Sequence, residues 1–270
     1  MDLRKHLEVL AHKKRVRVGI ALHTVTPGIK LSLKRASEFC EVVVIGKKVG
    51  GYKHIPATKA NLENVEMKAV IGGKVDALIR GQADAFKSED ALARLGGYDR
   101  QNLPMLQIMA DQFGHTFFAA SATHPENWTI KSKMMHVDAL IPLVKSFGLK
   151  PKIGFRTLVR PGSVGKNFLF DITWEQAEYL VQHYRKKGYQ ARNYNIELET
   201  AVADNVNILC FATGATGNVV SRALLFLTRD PFVVYFHGGI KETIIQNNRT
   251  LQDYTNHFIV AAAFVNRKRK

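Results

Sequence analysis

Short runs dense in Val, Ile and Leu alternate along most of this chain with stretches whose apolar residues recur every three or four positions. Residues 16–21 and 41–46 are almost continuously apolar. Strands of that kind are covered on both faces and belong to parallel sheets. Residues 3–11 carry Leu3, Leu7 and Leu10 at helical spacing, and Thr26-Pro27 opens a second helix reaching about residue 39. The pattern continues with a strand at 75–79, a helix at 88–95 and strands at 105–109 and 116–120. A long helix at 127–147 precedes a strand at 151–159 and a helix at 173–187. Segments 206–211, 218–227, 232–236 and 251–266 then read as strand, helix, strand and helix. Strands alternating with helices of this length predict βαβ units with right-handed crossovers. The expected class is α/β, with mostly parallel sheets flanked by helices.

At 270 residues the chain suits one large α/β domain or two modest ones. The long helix near 127–148 is the expected crossing between lobes. That gives an N-terminal lobe over 1–145, completed by the C-terminal helix at 250–270, and a second lobe over 146–249. A composition 46% hydrophobic and 23% charged excludes a disordered chain. The longest apolar run, 258–265, has 8 residues, far short of the roughly 20 that cross a bilayer. Two separated cysteines, Cys40 and Cys210, exclude a zinc ribbon or iron–sulfur cluster built from this chain alone. No His-x-x-x-His or His-x-His pair points to a catalytic metal. The polar first residues and the scarcity of cysteine predict a cytoplasmic protein with no membrane association.

The formal charge of +16 attracts polyanions. Its cations are dispersed, with no aromatic-rich nucleic-acid motif beside them, so nucleic acid is not the expected partner. An anionic small molecule or an acidic protein is.

In open α/β sheets, ligands sit beyond the carboxyl ends of strands. The loops there include His23-Thr24, Arg80-Gly81-Gln82, residues 121–124, 160–166 and 212–218, and His237-Gly238-Gly239. Residues 160–166 join two glycines, Ser163, Arg160 and Lys166, and read either as a polar turn or as an anion nest. Gly214, Thr216 and Gly217 ahead of Asn218 could aim amides at an anion across a helix N-terminus. Arg80 either binds such an anion or pairs with a carboxylate such as Asp84.

Several of these segments resemble the phosphate acetyl/butyryltransferase family. Val75-Asp76-Ala77-Leu78-Ile79-Arg80-Gly81 is similar to one of its strands, and residues 147–155 to its Phe-Gly-x-x-Pro lead into another. Residues 207–211 with Gly217-Asn218, and the closing segment 249–263, resemble further family segments; the likeness covers most of 70–266. The overall pattern is most similar to a divergent branch, the methanogenesis marker protein 4 group of methanogenic archaea, whose methyltransferase label implies a link to methyl transfer. The resemblance implies a two-lobed fold shared with isocitrate and isopropylmalate dehydrogenases, an interlobe cleft, and a homodimer. It implies catalytic roles for Arg249, Asp253 and Ser163, with Arg80, Arg160, Gly162, Lys166, Gly217 and Asn218 holding the anion. The acceptor it implies is a thiol of the coenzyme A or coenzyme M type.

The chain also departs from the family pattern. Asn248 replaces the serine before Arg249, Asp253 follows that arginine after a shortened spacer, and Ser121 replaces an acidic residue. Two functions therefore stand: a transferase of acyl or methyl groups, and a non-catalytic accessory or assembly protein of a methanogenesis enzyme complex.

Overall fold

The computed structural model describes residues 3–111, 113–121, 128–248 and 250–268. In chain order the elements are α1 (Leu3–Lys13), β1 (Arg17–Leu22), α2 (Pro27–Ala36), β2 (Glu41–Gly46), β3 (Lys53–Pro56), α3 (Leu62–Ile71), β4 (Ala77–Ile79) and α4 (Ala85–Gly96). Then come β5 (Met105–Ala110), β6 (Thr116–Ala120), α5 (Ile130–Ser146), β7 (Lys152–Phe155), α6 (Phe168–Lys186), β8 (Gln190–Asn193) and α7 (Leu198–Ala203). The last are β9 (Ile208–Cys210), α8 (Gly214–Leu227), β10 (Phe232–His237), β11 (Ile244–Gln246) and α9 (Thr255–Lys268). The α/β class read from the sequence is the class observed.

The chain forms two compact units, one of Leu3–Leu103 with Val234–Lys270, the other of Pro104–Val233. In the first, the strands lie in the order β3-β2-β1-β4-β11-β10, all parallel except β10 against β11. Its core gathers Val43, Ile45, Leu62, Met67, Leu78 and Leu92 between the sheet and α3–α4. In the second unit the order is β5-β6-β9-β7-β8, with only β5 and β6 antiparallel.

The divisions fall at Leu103/Pro104 and Val233/Val234 rather than at 145/146 and 249/250. The cause is local: β5 turns straight back into β6 as a hairpin, with no helical crossover, so both strands belong with the elements after them. The C-terminal helix α9 packs on α1, α2, β1, β4 and β11 in the first unit.

Helix starts follow their sequence signals. Thr26 caps α2, its Oγ1 accepting from Ile29 N at 3.3 Å, with Pro27 in the first turn. Asp84 caps α4, accepting from Phe86 N and Lys87 N at 3.1 and 3.2 Å. α8 begins at Gly214, not Asn218, because Thr213 and Thr216 close a reciprocal capping box. Gly217 and Asn218 therefore lie inside its first turns. No described helix is long and apolar enough to cross a membrane.

Candidate functional site

The chain leaves β1 in two directions. β2 lies on one side of it and β4 on the other, in register through Ile20 and Ile79. That reversal makes the carboxyl ends of β1 and β4 a topological switch point, where an open α/β sheet leaves a crevice. A cavity of about 510 Å³ occupies this place, a size in the ordinary range of ligand sites. His23 and Thr24 line it from the end of β1, Lys59, Leu62 and Glu63 from the approach to α3, and Gln82, Ala83, Asp84 and Lys87 from the end of β4 and α4.

Backbone geometry fixes the rim. Gly81 has φ +60, and a Cβ there would lie 2.2 Å from the Ala21 carbonyl oxygen, so only glycine lets the β4 loop fold back on β1. Gln82 N donates to that same carbonyl at 2.8 Å. The Gln82 carboxamide oxygen accepts from His23 N and Thr24 N, each at 2.9 Å, which fastens one loop to the other.

The two carboxylates are turned toward backbone amides. Glu63 Oε1 accepts from Asp84 N at 2.9 Å, and Asp84 itself caps α4, whose positive dipole end suits a carboxylate. One turn beyond Glu63, Glu66 is wholly buried and accepts from Ser88 Oγ at 2.5 Å. Burial holds its carboxyl well above the usual range, against the smaller opposing effect of Ser88. Lys59 and Lys87 are exposed, and among the described residues neither ammonium has an ion-pair partner. The crevice lining thus carries two ammonium groups beside two carboxylates that are hydrogen-bonded to backbone amides.

Of the residues expected from sequence to bind an anion, Arg80 is only 2% exposed. Its guanidinium donates to Gln246 Oε1 and to the Ala83 and Asn247 carbonyls, so it ties β4 to the segment after β11. Asp253 is equally engaged: Oδ2 meets Arg35 Nη1 at 3.0 Å, and Oδ1 accepts from Thr255 N at 2.8 Å at the start of α9. Arg249 lies outside the described residues, as does His124.

The remaining candidates belong to the second unit. β7 and β9 are parallel neighbours, with Phe155 opposite Cys210, so residues 156–166 and Thr213–Asn218 leave the sheet at the same edge. Arg160, Gly162 and Lys166 are exposed and Ser163 half-buried; Pro161–Ser163 form a 3-10 turn in which Ser163 N donates to Arg160 O at 2.9 Å. The nest expected there is partly filled from within, since Gly165 N donates to Asp171 Oδ1 at 3.0 Å. At α8 the capping box takes the Thr216 amide, at 3.1 Å, and Asn218 Oδ1 accepts from Arg222 Nε at 2.7 Å. Gly217 is buried, with no side chain to offer a ligand.

No protein-family model matches the chain. Among curated proteins it is 28% identical over 228 residues to the "Putative methyltransferase mtx subunit X" of Methanosarcina barkeri, covering 80% of this chain and 81% of that one. The Methanosarcina mazei protein of the same name is 26% identical over 231 residues, 82% of this chain and 80% of its own. The chain is similar to the mtx subunit X proteins over about four fifths of its length. Among solved structures, a branched-chain phosphotransacylase from Enterococcus faecalis superposes with a TM-score of 0.66 at 16% identity, covering 92% of this chain and 99% of that one. A phosphotransacetylase from Streptococcus pyogenes gives 0.64 at 14% identity, covering 97% and 98%. This mtx subunit X relative has the phosphotransacylase fold.

Sequence reasoning found His23, Thr24 and Gln82 as strand-end residues but missed Lys59, Glu63 and Lys87. Lys59 lies just before α3 and Glu63 in its first turn, and for that helix the sequence offered no clean apolar stripe because the buried Glu66 interrupts it. Arg160 gives a plain check on the second unit's loop. It is exposed and 3.6 Å from Glu197, so Arg160→Ala should change unfolding free energy by under about 0.5 kcal/mol in urea titration.

Proposed function

We propose that this mtx subunit X relative is a group transferase of the phosphotransacylase fold that binds a phosphorylated or coenzyme-bearing small anion in the crevice between β1 and β4. The observation that carries this reading is the pair of ammonium groups, Lys59 and Lys87, on a cavity of about 510 Å³ at the switch point. A phosphoryl group offers a charge and several acceptor oxygens to two such point charges. The group moved is acyl or methyl, and a thiol of the coenzyme A or coenzyme M type is the expected acceptor.

Calorimetric titration with acetyl phosphate, coenzyme A and coenzyme M tests it. At least one should bind, and Lys59→Ala and Lys87→Ala should each weaken that binding about tenfold, as expected for loss of one hydrogen bond to a charged group. Unchanged affinity in the doubly substituted protein rejects the crevice.

A second reading, a non-catalytic accessory protein of a methanogenesis complex, is favoured by the engagement of Arg80 and Asp253 in the protein's own hydrogen bonds. Groups with catalytic-type chemistry are there used to hold loops. The charge of +16 suits an acidic partner. Binding of an anion without turnover, together with stoichiometric capture of one acidic protein from methanogen extract, would favour it over the transferase.

A further inference from the structure

Three groups that the crevice does not use converge at the carboxyl edge of the second unit's sheet. β6 ends at Ala120 and β9 at Cys210, which are register partners. The next residue after β6, Ser121, is wholly buried and has φ +51, a left-handed conformation uncommon for a side chain other than Gly, Asn or Asp. Its hydroxyl has no oxygen or nitrogen partner, only the weakly hydrogen-bonding Cys210 thiol. The Cys210 thiol borders it. α5 packs across β6 and β9 and brings Lys133 to the same place.

Lys133 is 2% exposed, and its ammonium makes one hydrogen bond, to Gln176 Oε1 at 2.7 Å. Among the described residues no carboxylate pairs with it. An ammonium has three N–H donors, so among the described residues two are left without an acceptor at a buried position. Burial lowers the lysine's affinity for its proton. The neighbouring thiol cannot serve as counter-ion near neutrality, because burial pushes it up to about 11. A desolvated cation with no anion among the described residues, a hydroxyl met only by a thiol and a strained backbone at one spot are mutually unfavourable unless something else completes them.

The missing component must be negatively charged and rich in acceptors. A metal cation would be repelled by Lys133, and an apolar molecule would leave the donors unmet. A tetrahedral oxyanion supplies both the charge and enough oxygens for the two spare ammonium protons and the Ser121 hydroxyl. α8 begins at Gly214, just past Cys210, so the positive end of its dipole lies toward this edge as well.

We propose that Lys133 and Ser121 form a second anion site, for a phosphate-type oxyanion, either free or as the phosphoryl end of a small ester. The site is independent of the β1–β4 crevice and stands or falls apart from it.

The test compares the full chain with Lys133→Met, Ser121→Gly and the Lys59→Ala/Lys87→Ala double variant, titrated with sodium phosphate and with glycerol 3-phosphate at constant ionic strength. Phosphate should release heat on binding and raise the unfolding temperature of the parent. Lys133→Met should unfold at the same or a higher temperature than the parent without phosphate, since it removes an uncompensated buried charge, and should lose the phosphate response. Ser121→Gly accepts the positive φ without strain and should bind about tenfold more weakly. The crevice double variant should keep phosphate binding intact. Binding of phosphate alone identifies a closed ion site, and binding of both ligands a site open to substituted phosphoryl groups. No response in the parent up to roughly 10 mM phosphate overturns the proposal, as does an unchanged affinity in Lys133→Met. If Lys133→Met does not fold, unchanged affinity in Ser121→Gly overturns it instead.

Discussion

Arg80→Ala should destabilise the protein by about 3 kcal/mol or more, read as a shift in the urea midpoint at unchanged slope. The side chain is buried, and its removal leaves the Gln246 carboxamide oxygen and the Ala83 and Asn247 carbonyls short of a donor. Each buried acceptor so deprived costs about 1–3 kcal/mol, partly recovered if water enters the space. Arg80→Lys should retain part of the loss, because a point charge cannot reach three divergent acceptors as a planar fork does. An arginine whose job were to meet a ligand would give the opposite signature, weakened anion binding at full stability. That outcome would return Arg80 to the role read from sequence.

Gly81→Ala should be at least as severe. At φ +60 any side chain costs about 1–2 kcal/mol. Here the added carbon would also stand 2.2 Å from the Ala21 carbonyl oxygen, well inside contact distance, and that oxygen belongs to a central strand that cannot recede. The β4 loop must move, and Gln82 N then loses its bond to the same carbonyl. We expect a loss above about 3 kcal/mol, with disappearance of any crevice ligand binding in whatever folded protein remains. A midpoint within experimental scatter of the parent would show that the loop has another conformation open to it.

The parallel strands were legible because their job, burial on both faces, selects a composition that survives in one dimension. β1 (Arg-Val-Gly-Ile-Ala-Leu) and β2 (Glu-Val-Val-Val-Ile-Gly) are buried except at Arg17, Glu41 and Gly46, which are partly exposed. β3, β8 and β11 left no such trace. β3 is a half-exposed edge strand reading Lys-His-Ile-Pro, β8 is Gln-Ala-Arg-Asn at the opposite end, and β11 has only three residues. Their pairing is decided by neighbours distant in sequence. Capping residues were legible for the same local reason: Thr26-Pro27 marks the start of α2 on its own.

Site residues followed a different rule. A strand-end position is visible in sequence, so Arg80, Gln82 and His23 were placed correctly. What a side chain does there depends on acceptors arriving from elsewhere, and those of Arg80 come from as far as 167 positions away. Lys133 shows the limit most clearly. Within its helix it reads as a solvated cation, and only the packing of α5 over β6 and β9 shows that it is enclosed.

Gln82 carries a consequence for selectivity. Its carboxamide oxygen already sits between the His23 and Thr24 amides, where a phosphoryl oxygen would otherwise lodge. A small anion bound as proposed would therefore be met by the exposed Lys59 and Lys87 and not by a rigid backbone cradle. Such a mouth discriminates by charge far better than by outline, so it should accept anions of varied shape and lose its grip steeply as ionic strength rises.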